Sequence, residues 1–165
     1  MEKFQELGEL AKKKIHLADH ILTQTYPLIQ DPKLLLVVVE NIFLALTNAM
    51  GAILYYERLF KSIPPFQDNF SSKFNMFREK IVNRYNIPKE EVKLIQEIKD
   101  IILQHKKSPV EFIKKNQLVI CSGDYNMRTI SIDIMKNYLN QAKNFVQKSN
   151  EIVSKNEAIF NKKYT

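Results

Sequence analysis

The feature that most constrains the fold is a long apolar segment from Leu34 to Tyr56, in which 18 of 23 residues are hydrophobic. Its length approaches that of a membrane-spanning helix. At 100° per residue, however, a line of polar or small residues falls within about 40° on one side of that helix; these are Lys33, Glu40, Thr47, Gly51 and Arg58. An unpaired Glu near the centre of a bilayer is expensive. We therefore predict a helix buried on most sides within a bundle, without membrane contact.

Prolines and capping residues divide the rest of the chain into helical segments. The first predicted helix covers about residues 2–25, and Asp31 followed by Pro32 is typical of the start of a second helix. That helix ends before residues 63–65, the third covers about 70–85, and the fourth begins at Pro88. The run Ser108-Pro109-Val110-Glu111 fits a capping box, which predicts a short fifth helix to about Lys115.

The stretch 117–130 lacks helical periodicity. Residues 118–121 form a β-type apolar run followed by a turn, so this stretch is either a minimal hairpin or a buried extended loop. From about Ser131 towards Tyr164, apolar doublets recur every seven residues and predict a last helix roughly 50 Å long. A helix as long as the whole domain must protrude, fray or pack on a partner. Doublets as far as Phe160 favour a partner, and we expect a homodimer.

These patterns together predict one all-α domain over residues 1–165. It is a bundle of five or six helices, with a long buried second helix and a long C-terminal helix. The one cysteine, Cys121, cannot form an intramolecular disulfide, which suits the cytoplasm. Three widely separated glycines exclude a P-loop or dinucleotide-binding motif. His16 and His20 supply only half of a metal site. We therefore expect neither a metal nor a cofactor.

Positive charge is concentrated in the C-terminal part of the chain. Residues 1–60 hold six basic and seven acidic side chains, whereas residues 61–165 hold nineteen and eleven. A one-sided basic surface attracts RNA or another phosphate polymer. Lys148, Lys155 and Lys162 recur every seven residues and could follow a phosphate backbone, or could border a core or dimer interface. The excess of lysine is equally consistent with an AT-rich genome.

Polar residues of the first two helices form the main candidate cluster; they are Asp19, His20, Glu40, Asn41, Asn48 and Arg58. Buried polar groups need hydrogen-bond partners, so the cluster is interpreted as a network that orients the two helices. The alternative is a cleft for acid–base chemistry. No Ser or Cys has a basic partner at a recognisable spacing, which argues against an enzyme.

The order of helices, together with Asn41, Asn48 and the sequence Tyr55-Tyr56-Glu57-Arg58, resembles the HEPN superfamily of small prokaryotic helical domains. Catalytic HEPN proteins are metal-independent ribonucleases that carry Arg followed by His after four to six residues, contributed by two protomers. None of the four arginines here has a His at those offsets. The resemblance therefore implies dimerisation and association with RNA, without the nuclease motif.

Three functional hypotheses follow. The first is a non-catalytic HEPN-like module that binds nucleic acid or a partner protein through its basic C-terminal half. The second is a structural oligomer with no role in nucleic-acid binding. The third is an enzyme that uses Asp19, His20 and Glu40 between the first two helices.

Overall fold

The computed structural model describes residues 1–107, 110–114, 117–121 and 127–164, with side chains described over 1–107, 117–121 and 127–155. Most of the chain is helical, and the predicted helical bundle is confirmed. Its helices are α1 (Lys3–His20), α2 (Tyr26–Ile29), α3 (Pro32–Leu59), α4 (Phe70–Met76), α5 (Lys89–Lys107) and α6 (Ile132–Tyr164). A π-helical turn (Ile21–Thr25) joins α1 to α2, and a second one (Phe77–Ile81) extends α4.

Side-chain caps set the helix boundaries. Asp31 Oδ1 accepts a hydrogen bond from the Lys33 amide at 3.0 Å, and Pro32 occupies the first turn of α3, as predicted. The preceding residue, Gln30, has a φ of 54°, and this left-handed conformation reverses the chain between α2 and α3. At the start of α6, Ser131 Oγ accepts from the Ile134 amide at 3.0 Å. The polar residues between the apolar runs thus fix where each helix begins.

The part of the chain that connects α5 to α6 forms a three-stranded antiparallel sheet. Its strands, in spatial order, are β1 (Val110–Lys114), β2 (Gln117–Cys121) and β3 (Met127–Ser131). Of the two alternatives left open for residues 117–130, a hairpin or an extended loop, the structure shows antiparallel pairing of β2 with β3. The predicted fifth helix was wrong, since residues 110–114 are a strand; Ser108, Pro109 and Lys115 lie outside the described residues. A helix of two turns is marginal alone, whereas β1 bonds its backbone along the whole of β2.

The core is built around α3. Its buried residues cover nearly every direction around the helix axis, and α1, α5 and α6 pack against it. The apolar doublets of α6 also pack within the chain. Phe145 and Val146 enter the main core, while Val153 packs with Phe4 and Tyr56. The doublets up to residue 153 therefore have partners inside the protomer, and the last doublet lies beyond the described side chains.

Within the described residues, α3 is the one helix long and apolar enough to cross a membrane, and 61% of its most apolar window is buried within the protein. Small residues let the neighbouring helices approach it closely. A Cβ atom built on Gly51 would lie 3.2 Å from a methyl carbon of Leu7 on α1. Ser149 of α6 donates to the Ala49 carbonyl at 2.8 Å. The contact with Leu7 explains why the line of polar and small residues on α3 includes Gly51.

Candidate functional site

The structure does not assemble the predicted polar cluster between α1 and α3. Asp19 Oδ1 instead lies 3.0 Å from Lys143 Nζ on α6. Glu40, with half of its side chain exposed, has Oε1 3.7 Å from His105 Nε2 on α5. Because the two carboxylates lie beside groups on two different helices, the prediction of one buried network joining them was wrong.

The two asparagines of the cluster bond to their own helix. The Asn41 side-chain amide donates to the Val37 carbonyl at 2.8 Å, and Asn48 donates to the Leu44 carbonyl at 2.6 Å. Bonds of this type to the preceding turn satisfy an amide locally. They require no group on a second helix, which is why these asparagines are tolerated at and near the core.

His20 and Arg58 complete the set of predicted cluster residues. His20 is exposed at the end of α1, and Arg58 is half-buried in the last turn of α3. His20 is exposed, Asp19 pairs with Lys143 of α6 and Glu40 lies beside His105 of α5. No contact in the described structure joins the three residues, and the acid–base alternative stays a prediction.

A buried polar cluster does occur at the C-terminal end of α3, centred on Glu57. This side chain is 5% exposed and accepts hydrogen bonds from the Tyr85 hydroxyl, the Ser62 hydroxyl and the Arg84 guanidinium. The arrangement clamps the segment after the second π-helical turn onto α3. All three donors point at one carboxylate, and holding these segments together is enough to explain why an acid is buried here.

A signal for the Glu57 cluster was present in the sequence. Glu57 follows Ile53 by four residues and Met50 by seven, which places a carboxylate on the apolar face of the long helix. An acid at such a position needs donors from elsewhere in the chain. Arg84 and Tyr85 lie 27 and 28 residues away, so periodicity within one helix could not identify them.

The ionisation of two tyrosines should make the stability of the protein depend on pH. Burial, followed by the hydrogen bond to a carboxylate, raises the pKa of Tyr85 beside Glu57 and of Tyr138 beside Glu97. The folded state therefore favours the protonated phenols, and this stabilisation is present below about pH 10 and lost as the pH rises above it. We expect urea unfolding to show a steep loss of stability in that range. A Tyr85→Phe/Tyr138→Phe variant should have a shallower slope; an unchanged slope would contradict this assignment.

Lys148 has a partner within the chain. Its Nζ atom lies 3.0 and 3.2 Å from the two carboxylate oxygens of Glu91, a residue that is 9% exposed. This pairing removes Lys148 from the predicted series of free lysines and supports the alternative, in which such a lysine borders the core. Lys155 is exposed, and Lys162 lies beyond the side chains that are described. Lys148 is thus paired within the chain, and a role of Lys155 and Lys162 in phosphate binding stays a prediction.

Aromatic rings and cations alternate instead on the face formed by α3, α4 and α5. We call this surface the aromatic–cationic face and define it by Phe43, Tyr55, Phe66, Phe70, Lys73, Phe74, Arg78 and Lys99. Ring pairs connect it, with centroid distances of 5.8 Å between Phe43 and Phe70 and 5.3 Å between Phe70 and Phe74. A shallow cavity of about 240 Å³ opens between Phe43, Phe70, Lys73 and Lys99. The face therefore has both a ring surface and a recess.

Cations lie over the rings of this face. The Lys99 ammonium is 4.8 Å from the centroid of Phe70 and 5.3 Å from that of Phe43. Arg78 lies 4.9 Å from Phe74, and Lys73 lies 5.6 Å from Tyr55. These distances are within the range of a cation–π interaction. The rings thus hold the positive groups at the surface instead of dispersing them into solvent.

One carboxylate, Asp68, accompanies these cations. Its hydrogen bond and ion pair with Lys73 lower the pKa of Asp68, so it stays ionised and compensates that lysine. In the part of the chain that the structure describes, Lys99 and Arg78 have no carboxylate within ion-pair distance. The face therefore carries a net positive charge beside half-exposed aromatic rings.

No protein-family model, curated protein or solved structure matches the chain. The resemblance to the HEPN superfamily therefore stays a prediction. Among the side chains that the structure describes, no three His, Cys, Asp or Glu residues are grouped so that they could hold a metal ion.

Proposed function

We propose that this protein is a non-catalytic, HEPN-like helical module that binds single-stranded nucleic acid through the aromatic–cationic face. The observation that carries the proposal is the position of Lys99, whose ammonium lies over two half-exposed rings and has no carboxylate partner among the described residues. Proteins that bind single strands combine positive groups for the phosphates with rings on which bases stack.

The chemistry of the face suits a single strand better than a duplex. Phe43 and Phe70 belong to two different helices and border a narrow recess, which accommodates a splayed base rather than a stacked pair. Lys99 lies over those two rings and Arg78 lies over the neighbouring Phe74, where both cations can contact flanking phosphates. All of the cations of the defined face belong to the basic C-terminal part of the chain, as the charge distribution predicts.

The proposal is tested by fluorescence anisotropy with a labelled short oligouridine. We expect binding at low salt. The logarithm of the association constant should fall linearly with the logarithm of salt concentration, by about 0.7 per phosphate contact. Lys99→Gln should weaken binding and reduce that slope by about one contact. Phe70→Leu should weaken binding by about 1–3 kcal/mol through lost stacking, with a slope close to that of the parent.

Lys136→Gln is the matched control, because it removes the same charge at the start of α6, outside this face. It should leave the affinity within about twofold of the parent value, since a single remote surface charge contributes little once salt screens it. Absence of binding at low salt, or equal losses for Lys99→Gln and Lys136→Gln, would refute the proposal. The first of these results would favour a purely structural role for the cation–π pairs.

A further inference from the structure

The largest cavity described lies at one end of the bundle, away from the aromatic–cationic face. It has a volume of about 670 Å³, is open to solvent and is lined by the first π-helical turn, α2, the start of β2 and the start of α6. Its apolar side is formed by Leu22, Tyr26, Pro27 and Ile132. Polar groups complete the lining. A lining that combines apolar and polar groups is typical of small-molecule sites.

Tyr26 supplies an unpartnered hydrogen-bond donor at this cavity. The residue is 6% exposed, and its hydroxyl has no hydrogen-bond partner among the described residues. In that same part of the chain, no fully enclosed side-chain oxygen or nitrogen lacks a partner. The Tyr26 hydroxyl must therefore reach open space, and the open space that Tyr26 borders is this cavity. Burial raises the pKa of Tyr26, so the phenol keeps its proton and can donate it in a hydrogen bond.

The part of the cavity lining that belongs to the start of α6 favours a negatively charged ligand. The 33-residue helix α6 begins there, and the first amides of a helix have no partners within the helix. Ser131 satisfies the amide of Ile134. Lys136 lies one turn into α6 and borders the cavity, with no carboxylate within ion-pair distance in the described structure. An ammonium and a helix N-terminus thus border the same cavity as Tyr26.

The wall that carries Tyr26 has an unusual backbone. Leu22 and Thr23 belong to the first π-helical turn, and Gln30 adopts the left-handed conformation. π-helical turns occur frequently at functional sites. A non-glycine residue with positive φ is uncommon and is retained where the surrounding structure requires it. Both features lie at the cavity, where they set the positions of its lining side chains.

We propose that this cavity binds a small organic carboxylate with an apolar body. The carboxylate accepts a hydrogen bond from the Tyr26 hydroxyl and pairs with Lys136, while its apolar part lies against Leu22 and Pro27. This site is separate from the aromatic–cationic face, and the proposal does not depend on nucleic-acid binding there.

Charge at the rim favours a carboxylate over a phosphate. Asp133 borders the same cavity, three residues before Lys136. A singly charged ligand is balanced by the ammonium and the partial positive charge of the helix N-terminus. A doubly charged phosphate would bring a second negative charge close to Asp133, where like charges repel.

The test uses phenylacetate as the probe and the full chain labelled with ¹⁵N. Titration should give saturable shifts of backbone amide signals around the cavity, including those of Thr23, Gln30 and Lys136. Tyr26→Phe and Lys136→Gln should each weaken binding by about tenfold, the effect of losing one hydrogen bond or ion pair to a charged ligand. Overlaid spectra of the unliganded variants show whether each has kept its fold.

Three comparisons make the proposal falsifiable. Lys99→Gln, on the other face, should bind phenylacetate as the parent does, whereas the uncharged 2-phenylethanol should bind more weakly than phenylacetate. The proposal is overturned if phenylacetate gives no saturable shifts, or if Tyr26→Phe and Lys136→Gln both keep the parent affinity. Tighter binding of phenyl phosphate than of phenylacetate would overturn the assignment to a carboxylate. None of these results bears on oligouridine binding, so the two proposals can fail separately.

Discussion

The Glu57→Ala variant should lose about 2–4 kcal/mol of unfolding free energy. The carboxylate is buried and accepts from Ser62, Arg84 and Tyr85, so its removal leaves three donors facing a cavity. The expected loss is smaller than for a fully enclosed ion pair, because the Arg84 side chain is 40% exposed and can regain water. Urea unfolding measures the effect, and an unchanged dependence on urea concentration would show that the unfolded state is unaltered.

Two further variants separate the cluster from a general effect of removing an acid. Glu40→Ala removes a half-exposed carboxylate from the same helix and should change stability by no more than about 0.5 kcal/mol. A cycle of Glu57→Ala, Arg84→Ala and the double variant should show coupling above about 0.5 kcal/mol. Additive single effects would mean that the guanidinium and the carboxylate do not stabilise each other in solution.

The Phe145→Ala variant should be destabilised by about 3–5 kcal/mol. Phe145 of α6 is 1% exposed and packs against Phe77 in a T-shaped arrangement, with the ring centroids 5.9 Å apart. Phe77 begins the second π-helical turn, so this contact joins α6 to the segment that carries Arg84 and Tyr85. Truncation at Phe145 should open a cavity at that junction, and urea unfolding again gives the loss.

Phe145→Leu is the graded comparison for this variant. It retains most of the apolar volume, so its loss should be well below that of Phe145→Ala. Ile134→Ala removes an exposed apolar side chain from the same helix and should change stability by no more than about 0.5 kcal/mol. Equal losses for Phe145→Leu and Phe145→Ala would show that ring packing with Phe77, rather than buried volume, dominates.

Most helices of the bundle could be predicted because their boundaries are local properties of the sequence. Asp31 and Pro32 start α3, and Ser131 starts α6, through contacts within three residues. The strand β1 could not be predicted in the same way. The sequence from Ser108 offers a plausible helix start, but pairing of Val110–Lys114 with β2 decides the conformation. Tertiary pairing overrides a local preference when the local element is short.

The candidate sites were less predictable than the helices, because a side chain's partner depends on how distant segments pack. Glu40 of α3 lies beside His105 of α5, and Asp19 of α1 pairs with Lys143 of α6. The aromatic–cationic face likewise combines Phe43 with Phe70 and Lys99, from three different helices. Spacing within one helix carries no information about such combinations.

The two π-helical turns have a consequence for how this chain could vary in length. A π-helical turn holds one more residue than an α-helical turn while the helix remains continuous. Deleting one residue within Ile21–Thr25 would let that turn close as an ordinary α-helix without breaking the helical rod. Residues after the deletion would keep roughly their present orientation, because the π-helical turn and the α-helical turn that replaces it each make about one full turn. A single codon lost there would therefore leave Tyr26 on its present wall, whereas the same loss within an α-helical stretch of α1 would rotate every later residue of that helix by about 100°.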